Sequence, residues 1–317
     1  MPSSSSPPGK GKAGCGLTFA AGLVVLLGVG ILLAHVLGGK GPQPAGCTVQ
    51  AGGDELRLTF GQGANAATIA AVATSRGLPE RALTVALATS LQESRLENID
   101  HGDRDSLGLF QQRPSQGWGT AREILDPVYA SNAFFDHLVK IDGYARLPLT
   151  VAAQRVQKSG YPQAYAKHEA DATLLSAALL GRDAGALSCT TGGSGPDSAG
   201  GRPGDTAAVR ARLTREFGGK VRPRADTLAR TVAVPAGSAG AATEGEGDSR
   251  GWELAQWAVA HAQDLKVEQV AYGTLRWRAA ASGKGWQKQQ PVSAAGTGGD
   301  ASAGTPADGM VRITVAR

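Results

Sequence analysis

The sequence is lean in aromatic residues (5%) and in charged residues (19%), and it has only three cysteines. Gly (45) and Pro (16) are too few for a collagen-like or wholly disordered chain, though enough for long flexible joints. Only one long apolar run occurs. That excludes a many-spanning membrane protein, and with it a solute channel or transporter. No nucleotide-binding loop, nucleic-acid motif or redox site is recognisable, so neither a cofactor nor a nucleic-acid partner is implied.

Acid is absent from residues 1–46, which carry three Lys and a charge of +3. Residues 206–317 hold 15 basic and 10 acidic residues, a balance of +5 that favours an anionic partner, such as a wall polymer. The apolar run, Gly16 to Leu37, has 22 residues without Asp, Glu, Lys or Arg. As a helix it is about 33 Å long, enough for a bilayer core. Lys10 and Lys12 precede it, so the expectation is a cytoplasmic segment 1–13, a single signal-anchor transmembrane helix over 14–38, and everything later outside the cell. A cleaved signal peptide is the alternative.

Cys15 lies at the edge of that run. Cys47 and Cys189 bracket a domain-sized segment in a compartment where disulfides persist, and they are expected to pair. Between them the apolar periodicity is helical. Ala66, Ile69, Ala70 and Ala73 form one face, and Leu83, Ala86, Leu87 and Leu91 another, entered at Leu78-Pro79-Glu80. A third helix starts at Asp126-Pro127, and two more cover Val151 to Gln157 and Tyr165 to Leu180. No alternating stretch is evident, so 47–189 reads as a mainly α domain. Residues 190–205 read as a Gly/Ser/Pro linker. Residues 206–317 read as a small α/β domain, with helices around Val209–Phe217 and Trp252–Leu265 and strands at Val267–Tyr272, Leu275–Trp277 and Met310–Val315.

The informative stretch runs from Gln92-Glu93-Ser94-Arg95 to Gly108-Leu109-Phe110-Gln111. Glu93 falls at the C-terminal end of an apolar helix, where partial burial raises a carboxyl pKa as a general acid requires. A glycosidic oxygen leaves only when protonated. Taken alone, one Glu on a helix is more often a surface residue or a cap.

Glu-Ser followed by Gly-Leu-Phe-Gln resembles the pattern of lytic transglycosylases and goose-type lysozymes, over roughly residues 63–180. Gly102-Asp103-Arg104 resembles the goose-type arrangement in particular. The resemblance implies a lysozyme-like fold acting on peptidoglycan glycan strands between N-acetylmuramic acid and N-acetylglucosamine. It implies Glu93 as general acid, and Ser94, Ser106, Gly108, Leu109, Phe110 and Gln111 along the glycan cleft. Asp103 is the first candidate for a base, then Asp105 and Asp100. With such a base the reaction is hydrolysis; without one the muramic hydroxyl attacks, as in a transglycosylase. The family often carries Ala-Tyr-Asn in a later helix. The comparable residues here are Ala153 to Gln157, with Val156 where Tyr would stand and Gln157 where Asn would stand. Trp118 is a candidate for sugar stacking, although a lone Trp is more often packing.

The stretch from Gly251 to Gln287 resembles a C-terminal domain of actinobacterial secreted proteins distantly similar to zinc D,D-carboxypeptidases and hedgehog-type folds. Its metal-binding members end in His-Val-His, whereas this chain has Met310-Val311-Arg312, and His261 has no evident companion ligand. No metal is expected. Trp252, Trp257, Trp277 and Trp286 read as core rather than as a glycan-stacking row. Two functional readings stand: a wall-cleaving glycosidase, and a non-catalytic wall-binding scaffold that keeps the lysozyme fold.

Overall fold

A Thr59–Gln62 capping box opens the first helix, α1 (Phe60–Ser75), whose alanines bury almost its whole length. The computed structural model describes residues 44–161, 163–191, 203–237, 244–289 and 309–317. Before α1, β1 (Gly46–Ala51) and β2 (Asp54–Leu58) form a hairpin turned by Gly52-Gly53, with φ of 62° and 97°. Positive φ at both turn residues suits glycine. Helix α2 (Glu80–Ser94) starts after Pro79 and is buried from Ala82 to Leu91. Around it lie α3 (Ala121–Ile124), α4 (Pro127–Leu138), α5 (Leu149–Gln157) and α6 (Glu169–Leu179). The Asp126 side chain caps α4, and Pro127 occupies its first position. Strand β3 (Leu187–Thr190) returns to β1, giving a sheet of order β2-β1-β3. Cys47 faces Cys189 across it, and the two form a disulfide.

The second half begins with α7 (Thr206–Phe217), capped by Asp205. Strands β4 (Arg224–Ala225) and β5 (Thr231–Pro235), helix α8 (Glu244–Ala260), and strands β6 (Val267–Tyr272), β7 (Leu275–Arg278), β8 (Gln287–Lys288) and β9 (Met310–Val315) follow. The strands make one antiparallel sheet of order β4-β5-β9-β6-β7-β8. Val232, Val234, Val270, Trp277, Val311, Ile313 and Val315 are buried in the core that α8 shares.

The expected fold class needs correction. The described residues are mixed helices plus antiparallel sheets, not a mainly α unit followed by an α/β one. The first half has its own three-stranded sheet, missed because β1 and β2 are short and β2 exposes residues on both faces. Among the described residues no helix is long and apolar enough to cross a membrane. The segment 14–38, expected to do so, lies outside the described residues, as does most of the expected linker.

Residues 44–317 form one unit. Buried polar groups stitch its halves together. The Gln256 side chain on α8 accepts from Leu187 N at 2.6 Å and donates to Ala178 O at 2.7 Å. Trp277 Nε1 donates to Cys189 O at 3.1 Å, and Thr68 on α1 donates to Glu216 on α7 at 3.0 Å. His261 has companions after all. Its Nε2 lies 3.6 Å from Glu216 and its Nδ1 3.4 Å from Asp264. Trp252, Trp257 and Trp277 are buried, and Trp286 packs against the same core.

Candidate active site

Helix α2 ends at Ser94 because Arg95 turns left-handed (φ 57°), and Leu96 N then reaches back to Ser90 O. This cap needs no glycine because Gln62 and Asn65 of α1 hold the turn, donating to Arg95 O and Leu96 O at 2.9 and 2.7 Å. Glu93 is thereby half-buried in the last turn of α2. Desolvation raises its pKa, against the opposing pull of the Tyr165 hydroxyl and the Gln157 amide. The Tyr165 hydroxyl donates to Glu93 Oε1 at 2.7 Å.

Residues 107–112 form a tight hairpin. Leu107 and Gln112 exchange both backbone hydrogen bonds, and Gly108 to Gln111 make the tip. Gly108 has φ 74°, and a Cβ there would meet Ile124 O at 2.7 Å, so only glycine fits. The hairpin is tied to Glu93's helix and to α5. Ser94 Oγ donates to Leu109 O at 2.8 Å, and Gln157 Nε2 donates to Phe110 O at 2.7 Å. Gly102 lies so close to this tip that a Cβ would sit 1.9 Å from Gln111 Oε1.

Sequence reasoning therefore brings together Glu93, Ser94, Gly108, Gln111 and Gln157, with different jobs for some. The side chains of Leu109 and Phe110 are wholly buried, and Phe110 stacks on Phe134 at 4.6 Å. Only their backbone can line a cleft. Ser94 and Ser106 are buried as well, and Ser94 braces rather than faces solvent. Trp118 packs its ring on His137 at 4.1 Å and is half-buried, not a free platform.

The three acidic candidates for a base separate cleanly. Asp105 accepts from Ser115 N, Ser115 Oγ and Arg113 Nε, which hold its carboxyl far below the usual range. It is consumed in holding that turn. Asp100 pairs with His101 at 3.1 Å in full exposure. Asp103 is exposed, and its backbone carbonyl closes a turn with Ser106 N at 3.1 Å. Among the described residues its carboxylate has no hydrogen-bond or ion-pair partner.

Tyr165 is the candidate-site residue that sequence reasoning missed. The family resemblance places its Tyr at Val156, inside α5. It comes instead from the turn after α5, where an Ala-Tyr pair, Ala164-Tyr165, was the available signal. His168 helps to seat this turn, its Nε2 lying 3.2 Å from Gln92 Oε1.

Backbone strain concentrates here. Among the described residues seven non-glycines have positive φ, and five of them (Arg95, Leu96, Arg104, Gln111 and Lys158) adjoin Glu93, the hairpin or Gln157. Each such conformation costs on the order of 1 kcal/mol, and such strain gathers at functional sites.

Residues 200–303 match the family model described as VldE, C-terminal domain. The match spans about a third of the chain, from the segment before α7 to beyond β8, and leaves out both Glu93 and β9. No curated protein matches the chain. Among the described residues no group of three or more His, Cys, Asp or Glu is placed to hold a metal ion.

Proposed function

We propose that the protein is a peptidoglycan glycosidase of lysozyme or lytic transglycosylase type, with Glu93 as its general acid. The observation that carries this reading is a half-buried Glu93 with a raised pKa, gripped by Tyr165 and Gln157 beside the strained Gly108–Gln111 hairpin. A carboxyl whose pKa is raised by desolvation is a better proton donor to the glycosidic oxygen as the bond to the anomeric carbon breaks. Tyr165 fixes the carboxyl's orientation, and Gln157 ties it to the hairpin backbone that would lie against the sugar.

The anomeric carbon then needs a nucleophile. Asp103, with its exposed and unpartnered carboxylate, suits activation of water and supports hydrolysis. Without it, the muramic acid's own hydroxyl closes a 1,6-anhydro ring and returns a proton to Glu93. The disulfide supports action in an oxidising compartment, where a cell wall lies.

The test incubates the whole chain with purified peptidoglycan and identifies products by mass spectrometry. The whole chain is used because its halves share one core. Wild type should release muropeptides, and Glu93→Gln, with matched circular dichroism, should be slower by ~10²–10⁴-fold. Intact binding without any cleavage by wild type would favour the wall-binding scaffold instead.

A further inference from the structure

We propose that Tyr161 is a sugar-stacking residue at the rim of the Glu93 site, taking the flat C–H face of an N-acetylhexosamine unit in the bound glycan. The choice of a glycan rests on the cleavage reading above; the exposure and the place of the ring rest on the fold alone. Among the described residues Tyr161 and Val139 are the only exposed large hydrophobics, at 80% and 41%. Phe110, Phe134, Phe135, Trp257 and Trp277 are wholly buried, and Trp118 packs on His137. A single exposed ring on a loose loop needs no explanation. This ring is on a tied turn, close to Glu93.

The turn is held at each step after α5. Lys158 leaves the helix left-handed, with φ 51°, and its N donates to Gln154 O at 2.8 Å. Gln154 Nε2 donates to Ser159 O at 2.7 Å. Tyr161 N donates to Ser159 Oγ at 3.1 Å, and Tyr161 O accepts from Ala164 N at 3.0 Å. With the backbone fixed on both sides of the ring, a ligand has only the two side-chain torsions of Tyr161 to order.

The hydroxyl that anchors Tyr161 also leads to the acid. Ser159 Oγ donates to the Tyr165 hydroxyl, which in turn donates to Glu93 Oε1 at 2.7 Å. Tyr161 N is therefore no more than about 10 Å from the Glu93 carboxyl. A side chain rooted there falls within a few sugar units of the bond that Glu93 would protonate. The chemistry suits such a ligand. Ring substituents of a β-linked N-acetylglucosamine are equatorial, so its C–H groups gather on flat apolar faces. The negative face of an aromatic ring attracts those C–H groups, and the phenol tip keeps a hydrogen bond for a sugar hydroxyl.

The experiment titrates the full chain, carrying Glu93→Gln so that the ligand survives, with a β-1,4-linked N-acetylglucosamine hexasaccharide by isothermal calorimetry. Adding Tyr161→Ala, with matched circular dichroism, should weaken binding about tenfold, and Tyr161→Phe, which keeps the ring, should restore most of it. In the chain with Glu93 intact, Tyr161→Ala should raise KM for peptidoglycan with kcat little changed, because stacking is equal in ground and transition states. Should Tyr161→Ala disturb the fold, nitration of the parent chain gives the same answer without it: the hexasaccharide should protect Tyr161, mapped by peptide mass spectrometry. A parent that does not bind the hexasaccharide, a folded Tyr161→Ala that binds like the parent, a Tyr161→Phe as weak as Tyr161→Ala, or nitration of Tyr161 unchanged by the sugar would each overturn the proposal. Ring-dependent binding by a wild type that cleaves nothing would sink only the cleavage reading. Cleavage with ring-independent binding would sink only this one.

Discussion

The Tyr165 hydroxyl meets Glu93 Oε1 at 2.7 Å across 72 positions of sequence. Tyr165 is itself completely buried, and burial together with the Glu93 charge raises its own pKa. The pair is therefore a fixed donor on a carboxyl whose desolvation raises its pKa.

Its consequence is a pH shift with a definite sign. The Tyr165 hydrogen bond favours the ionised form of Glu93, opposing the rise caused by burial. In Tyr165→Phe that opposition is lost, so the Glu93 pKa climbs further. The alkaline limb of the cleavage profile should move to higher pH, while the maximal rate falls through lost orientation. A kcat/KM profile over pH checks this. A limb that stays in place or moves down would remove Tyr165 from the control of Glu93.

Asp103→Asn separates the two reaction types. If Asp103 activates water, the variant should lose ~10²-fold or more in rate. If the muramic hydroxyl attacks, Asn preserves the turn that Ser106 N closes on the residue 103 carbonyl, and activity survives. The exposed, unpartnered carboxylate favours the first outcome. Mass spectrometry should then find reducing ends as the main product, whereas 1,6-anhydro ends from an active variant would establish the second.

The disulfide bridges a separation of 142 residues and joins β1 to β3 beside the Trp277 hydrogen bond. Replacing both cysteines by Ala should lower stability, by up to ~4–5 kcal/mol in the chain-entropy model. Thermal denaturation of the oxidised protein against the double variant measures it. A coincident pair of transitions would show that the shared core suffices.

The buried His261 gives stability its own pH dependence. Burial alone would lower its pKa, but the Glu216 charge and the bond to Asp264 outweigh that and raise it above the ordinary 6.5, with Arg212 opposing. A raised folded value means the contribution is complete below about pH 6.5 and fades as pH rises through the folded pKa. Wild type should therefore lose more melting temperature between acidic and alkaline buffer than His261→Gln does. Equal losses in the two proteins would contradict the pairing.

Much of this protein was readable locally. The 3.6-residue spacing of Leu83, Ala86, Leu87 and Leu91 and the proline at 79 are enough to place α2, because helix formation depends on neighbours a turn apart. That spacing also sets Glu93 at the helix end, and the two bracketing cysteines announce their own pairing. The alternation of Met310 to Val315 likewise marks β9. What periodicity cannot carry is which distant groups meet. Tyr165 reaches Glu93, Ser115 and Arg113 occupy Asp105, and Phe110 turns inward onto Phe134 only once the helices pack. Tyr161 comes close to Glu93 only through the Ser159 and Tyr165 hydroxyls. Helix and strand patterns follow from side chains a few positions apart, whereas a site is fixed by burial and pairing across the whole core.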